Sequence, residues 1–126
     1  MGLVYAEITL INGEDLILAK RNIIGEDEIK KIKVRALTVP GGCTLTINQT
    51  IQECLQLPVI EKRETERANV IMEVYDIAGP VEVLFNNIRN TCSTKVLPGN
   101  NQPAIGTVLL QEIPIRIRSD VFEKFV

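Results

Sequence analysis

Few residues in this chain have the types and spacing that chemistry requires, and what is missing narrows the field first. There is no histidine anywhere, so every mechanism built on an imidazole base is excluded. The three cysteines, Cys43, Cys54 and Cys92, are odd in number, far apart and without C-x-x-C spacing, which excludes the common zinc patterns and leaves no metal site to propose. Each falls at an apolar-periodic position, where a buried free thiol is expected and a nucleophile is the sharper alternative. What remains is carboxylate chemistry and the turns that would present it. Thr38-Val39-Pro40-Gly41-Gly42 is the most distinctive turn. Either glycine can take positive φ and admit a second backbone at close range, a property shared by loops that hold a reacting group and by ordinary tight turns. The D-x-x-G spacing of Asp76-Ile77-Ala78-Gly79 reads as a plain turn.

The elements around the Pro-Gly-Gly turn follow from apolar alternation. Residues 31–47 read as strand, turn and strand, with Ile32, Val34, Ala36 and Leu37 before the turn and Cys43, Leu45 and Ile47 after it. Upstream, residues 3–11 alternate as a strand with Val4, Ala6, Ile8 and Leu10 on one face. Asn12-Gly13 then predicts a hairpin with a return strand over 16–19, and the charged run 20–31 predicts a solvated loop. Downstream, Asn48 caps a helix over 48–56 whose apolar face is Ile51, Leu55 and Cys54, with Thr50-x-x-Glu53 as a capping box one register later and Pro58 as the stop. Residues 59–74 predict a hairpin with a charged arm at 61–67. Its tip, Ala68-Asn69-Val70, lacks the glycine that a tight primed turn favours. A second hairpin joins 81–85 to 90–96 through Asn86-Asn87, and 98–103 is a loop. A strand at 104–106, a short helix at 108–111, a strand at 114–118 and an apolar tail at 120–126 complete the chain; the tail reads as a short helix, a frayed end or an edge strand.

This order of elements resembles the retropepsin-like (retroviral-type, clan AA) aspartic proteases, specifically their small bacterial single-domain branch. The likeness is carried by Ala36-Leu37-Thr38-Val39-Pro40-Gly41-Gly42 and then by Leu45-Thr46-Ile47-Asn48 through Leu55-Gln56-Leu57-Pro58-Val59. It continues in Gly79-Pro80-Val81-Glu82-Val83, in Val96-Leu97-Pro98-Gly99, and in Ala104-Ile105-Gly106 followed by Leu109-Leu110. The resemblance implies a closed barrel, a homodimer with its axis near 39–42, a flap at Ala68, Asn69 and Val70, and a strand at Ile105-Gly106 beside the active-site loop. It also implies that the C-terminal segment lies in the dimer interface. The family's catalytic aspartate, however, aligns with Val39 and its threonine with Pro40. Aspartic catalysis needs two carboxylates sharing a proton, one from each chain, and a valine cannot titrate or orient water. Pro40 supplies neither a hydroxyl nor an N–H to brace the paired loops.

Length and composition fit these expectations. A chain of 126 residues suits one domain over 1–126. With 45% apolar residues, 4% aromatic and no tryptophan, its core must be aliphatic. A net charge of −2 and the lack of an aromatic platform argue against nucleic acid as a partner. No basic leader or long apolar run marks the start, so a cytoplasmic chain with reduced thiols and no membrane partner is expected. The expected fold class is all-β, a closed retropepsin-like β-barrel with one or two short helices. The expected function is that of a catalytically inactive homologue, a dimeric binding or structural module that holds a peptide or protein ligand in the former substrate groove without a cofactor. The alternatives are an active endopeptidase whose carboxylate comes from elsewhere, and a β-domain unrelated to proteases.

Overall fold

The computed structural model describes residues 4–111, and within them the side chains of all but 65–67 and 71–73. Its strands are β1 (Tyr5–Asn12), β2 (Lys31–Val39), β3 (Leu45–Asn48), β4 (Val59–Arg67), β5 (Val70–Phe85), β6 (Ile88–Leu97) and β7 (Ala104–Gly106). Two helices, α1 (Gly13–Lys20) and α2 (Gln49–Leu55), and two 3-10 turns, Glu26–Glu28 and Thr107–Leu110, connect them. The sheet runs β1-β2-β7-β3-β6-β5-β4, and β1 also pairs with β5. Six strands therefore close on themselves, and β4 extends the sheet beyond the ring. The molecule is mostly β, a closed barrel with two short helices, as the turn-punctuated alternation predicts.

The barrel interior is filled by side chains, as a ring this small requires. Ile8 and Leu10 of β1, Leu45 and Ile47 of β3, Val81 and Val83 of β5, and Ile105 of β7 are all fully buried. Alternation sets this face: Ala6, Ile8 and Leu10 point inward, and only Val4 of the expected stripe stays in solvent. Leu55 and Leu57 close the α2 end, where Asn48 accepts a hydrogen bond from Ile51 N at 2.8 Å and so caps the helix. Gln56, in the left-handed region at φ 50°, ends it.

Three local expectations are overturned. Residues 13–20 form α1, not the return strand of a hairpin. A primed Asn-Gly turn needs positive φ at both residues, and Asn12 sits at φ −64°. Its side chain is committed elsewhere: it accepts from Asp15 N at 3.1 Å as an N-cap and donates through Nδ2 to Leu55 O at 2.8 Å, tying α1 to α2. At the tip of the β4–β5 hairpin, Ala68 (φ 54°) and Asn69 (φ 65°) make the tight two-residue primed turn without glycine. Residues 76–79 are not a turn but part of β5. That strand runs on to Phe85 through a register shift between Ala78 and Val81, with a cis bond at Gly79-Pro80. The 81–85 to 90–96 hairpin does turn at Asn86-Asn87, and within the charged run 20–31 residues 21–30 are the loop expected, with one 3-10 turn in it. The strand at 114–118 and the tail at 120–126 lie outside the described residues.

Candidate functional site

β2 ends at Val39, and the chain reverses through Pro40-Gly41, with Gly42 N donating to Val39 O at 3.1 Å. Pro40 at the first corner and Gly41 at φ 71° at the second are what a type II turn requires. The turn is fixed from the other half of the chain. β7 runs parallel to β2 with Leu37 opposite Ala104, Thr38 opposite Ile105 and Val39 opposite Gly106. It also runs antiparallel to β3, and Gly106 N donates to Thr44 O at 2.8 Å. The 3-10 turn after β7 holds the loop as well: Val108 N donates to Gly42 O at 3.0 Å, and Gly41 N donates to Thr107 Oγ1 at 2.9 Å.

Gly106 is the residue that lets this happen. A Cβ there would fall inside the backbone of Gly42 and 2.6 Å from Cys43 N, so only glycine allows the two backbones to meet. The structure thus brings together Thr38, Val39, Pro40, Gly41, Gly42 and Gly106. Ile105 belongs to the barrel interior, at 0% exposure. Ala68, Asn69 and Val70 form the exposed tip of the β4–β5 hairpin.

Among the described residues the loop itself carries no carboxylate or imidazole. Residues 38–46 and 104–111 contain no acid and no histidine, only hydroxyls, one thiol and one amide side chain. Thr38 Oγ1 donates to Val4 O at 2.8 Å, and Thr107 Oγ1 is taken by Gly41. What the loop does present is apolar surface: Val39 is 45% exposed, with Val4 at 65% and Val108 at 38% around the same barrel end.

A groove of about 420 Å³ lies beside the loop. Its floor is the outer face of the sheet, with Thr44 and Thr46 from the β3 segment next to Ser93 and Lys95 of β6, because β3 and β6 pair in parallel with Leu45 opposite Thr94. Tyr75 and Ile77 of β5 continue the row, and Arg63 of β4 stands opposite Tyr75. Lys95 Nζ sits 4.3 Å from the centre of the Tyr75 ring, a cation–π contact that holds both side chains over the groove. A second cleft, of about 220 Å³, separates Gln49 and Gln52 of α2 from Lys62 and Asp76, and the latter two form an ion pair at 3.8 Å.

Sequence reasoning missed Arg63, Tyr75, Ser93 and Lys95. A period-2 row of polar and aromatic residues was visible, but the parallel pairing that sets β3 beside β6 is a long-range event with no local signal. The cysteines also differ from the buried set expected. Cys43 and Cys54 are exposed, and only Cys92 packs against the core. Burial pushes the Cys92 thiol up from 9.0 to about 11, which makes it a poor nucleophile at neutral pH. Among the described residues no group of three or more Cys, Asp or Glu side chains is placed to hold a metal, and no helix is long and apolar enough to cross a membrane. No protein-family model matches the chain, and neither a curated protein nor a solved structure does, so what the loop and groove can do follows from their own side chains.

Proposed function

We propose that this chain is a catalytically silent relative of the retroviral-type aspartic proteases, a homodimeric binding module that holds an extended peptide in the groove beside the Val39 loop. The observation that carries this reading is the convergence of β2 and β7: a parallel pair that sets Val39 against Gly106, with a glycine turn locked by a backbone contact between them. In the resemblance drawn from sequence, this is where an active-site loop sits beside a hydrophobic-hydrophobic-Gly strand. The helix α2 after β3, the hairpin β4–β5 and the 3-10 turn after β7 follow in the expected order. On this reading the loop stands where such a site would be and lacks its acid.

The chemistry then fails at both halves of a dimer at once, because symmetry repeats the valine. A positioned proton donor or acceptor contributes roughly a hundredfold to ten-thousandfold in rate, and both members of the dyad are gone. The groove retains what binding needs: hydroxyls and an aromatic face, with the outer edge of β4 paired to no strand among the described residues. The test is incubation of the pure protein with a mixed peptide library near pH 5, read by mass spectrometry with and without a pepstatin-type inhibitor. No inhibitor-sensitive cleavage is expected. Val39→Asp alone is not expected to recover full activity, since Pro40 still provides no bracing hydroxyl or N–H, and Val39→Asp with Pro40→Thr is the smallest change expected to restore it. Inhibitor-sensitive cleavage by the unaltered protein would overturn the reading.

A further inference from the structure

We propose that a second groove, on another face of the barrel, takes a free aliphatic carboxylate of the medium-chain fatty-acid class. This goes beyond the binding role of the Val39 loop and does not depend on it, since the two grooves share no residue.

The groove, of about 440 Å³, lies over β2, β1 and the second half of β5, and its size is that of a small-molecule site. Strand register sets its lining in rows. Thr9 of β1 stands between Lys33 of β2 and Leu84 of β5, and Ile11 stands between Lys31 and Glu82. Residues two apart on a strand share a face, so these side chains point away from the interior that Ile8 and Leu10 fill. Ile11 is only 5% exposed and Leu84 is half-buried, which makes the floor apolar and recessed. The aliphatic stems of Lys31 and Lys33 wall it on one side. Arg89, opposite Leu84 on β6, closes the other.

The charges on this face are unevenly matched. Arg89 Nη1 is paired with Glu82 Oε1 at 3.0 Å, so that side of the groove is neutral. Arg35, further along β2, lies 4.5 Å from the centre of the Tyr5 ring and stands opposite Glu7. Lys31 and Lys33 stand opposite Ile11 and Thr9 instead, and among the described residues neither is paired with a carboxylate. The acid nearest in sequence does not serve them: Glu28 Oε2 accepts from Gly25 N at 2.8 Å. The two lysines spring from positions about 7 Å apart along one face of a strand, so their ammonium groups repel each other and one anion between them relieves both. Thr9 adds a hydroxyl that can donate to the same anion. From that point the apolar floor runs toward Leu84, where an aliphatic tail lies. Because the floor is sunk between the lysine stems and Arg89, a single chain reaches it and a flat bilayer does not.

The experiment is titration of the protein by amide NMR with octanoate, with octanol as the uncharged tail and with acetate as the tailless anion, all below micelle-forming concentrations. At low salt octanoate is expected to bind about tenfold more tightly than either, and its lead over octanol should narrow as salt rises. The shifts should centre on Thr9, Ile11 and Leu84 and leave Thr46 and Ser93 of the other groove unmoved. Lys31→Gln with Lys33→Gln is expected to bring octanoate down to the level of octanol, whereas Leu84→Ala should weaken both and keep their ratio. Vesicles of phosphatidylcholine carrying oleate are expected not to sediment the protein; cosedimentation would place the carboxylate in a membrane and overturn the free ligand. Equal binding of octanoate and octanol, a preference that survives loss of both lysines, shifts centred elsewhere, or no saturable shift at all would each sink the proposal while leaving the reading of the Val39 loop untouched.

Discussion

A single absent Cβ decides whether this loop exists. The backbones of Gly42 and Gly106 are in contact, and no rearrangement of a flexible side chain could make room for a methyl group there. Gly106→Ala is therefore expected to destabilise the fold by about 3 kcal/mol, the upper range for forced overpacking. Gly41→Ala is expected to cost only about 1 kcal/mol, because its φ of 71° is strained for alanine but nothing lies within reach of the added carbon. Urea denaturation of the two variants side by side measures the difference, and equal costs would show that the close approach is not rigid. The thiols make a second residue-scale contrast. Cys43 and Cys54 are exposed, whereas burial raises Cys92 from 9.0 to about 11. With a thiol-reactive disulfide reagent near pH 8, two of the three cysteines are expected to react quickly and Cys92 only on unfolding. The linkage has a definite sign. A folded-state value above the unfolded one means that the native protein holds the proton more tightly. This contribution to stability is full below pH 9 and is lost as pH climbs from about 9 to 11. Cys92→Ser removes that part of the alkaline dependence.

Among the elements, the β4–β5 hairpin carries an avoidable strain. Ala68 at φ 54° occupies a region that costs an ordinary residue about 1 kcal/mol, and Asn69 at φ 65° tolerates it better. Replacing Ala68-Asn69 with Asn-Gly is expected to stabilise the hairpin by about 1 kcal/mol, read as slower amide exchange in β4 and the facing half of β5. No change in exchange would mean that the tip is not the weak point. The same hairpin shows how far the sequence could be read. Its return strand is legible from alternation and its outgoing arm only as a charged run, while residue type argues against a tight turn at the tip; strand pairing on both sides overrides that preference. Asn12-Gly13 failed in the opposite direction. The dipeptide is a strong hairpin signal, yet Glu14, Asp15 and the final Lys20 are the charges of a helix begun by an asparagine cap. Asn12 also reaches Leu55 O, a partner 43 residues on that no local rule reveals. Asn48, with no competing turn signal, was legible as a cap and is one. Of the candidate site, the turn at 38–42 and its glycines could be read locally. The groove could not, because its floor joins β3 to β6 and its wall comes from β4 and β5.

At the scale of the whole molecule, the exposed Val4, Val39 and Val108 around one barrel end fit a two-fold interface in which each copy covers the other. Sedimentation at tens of micromolar protein is expected to report a dimer of the 14.0 kDa chain. Val39→Glu should shift it to monomer, because the proposed two-fold axis would set the two new charges against each other. A monomer for the unaltered protein under those conditions would remove the dimer from the proposal. The closure of the barrel has a further consequence, for the time course of folding. β1 is made first, but its partner on one side, β5, and the β7 that flanks β2 belong to the later half of the chain. A nascent chain that has emerged only as far as α2 lacks both of these pairings, and its apolar β1 face has nothing to close against. Until β7 is available, β1 and β2 are an open sheet with an unpaired edge, so the first of the described strands to be made are exposed longest to aggregation during synthesis.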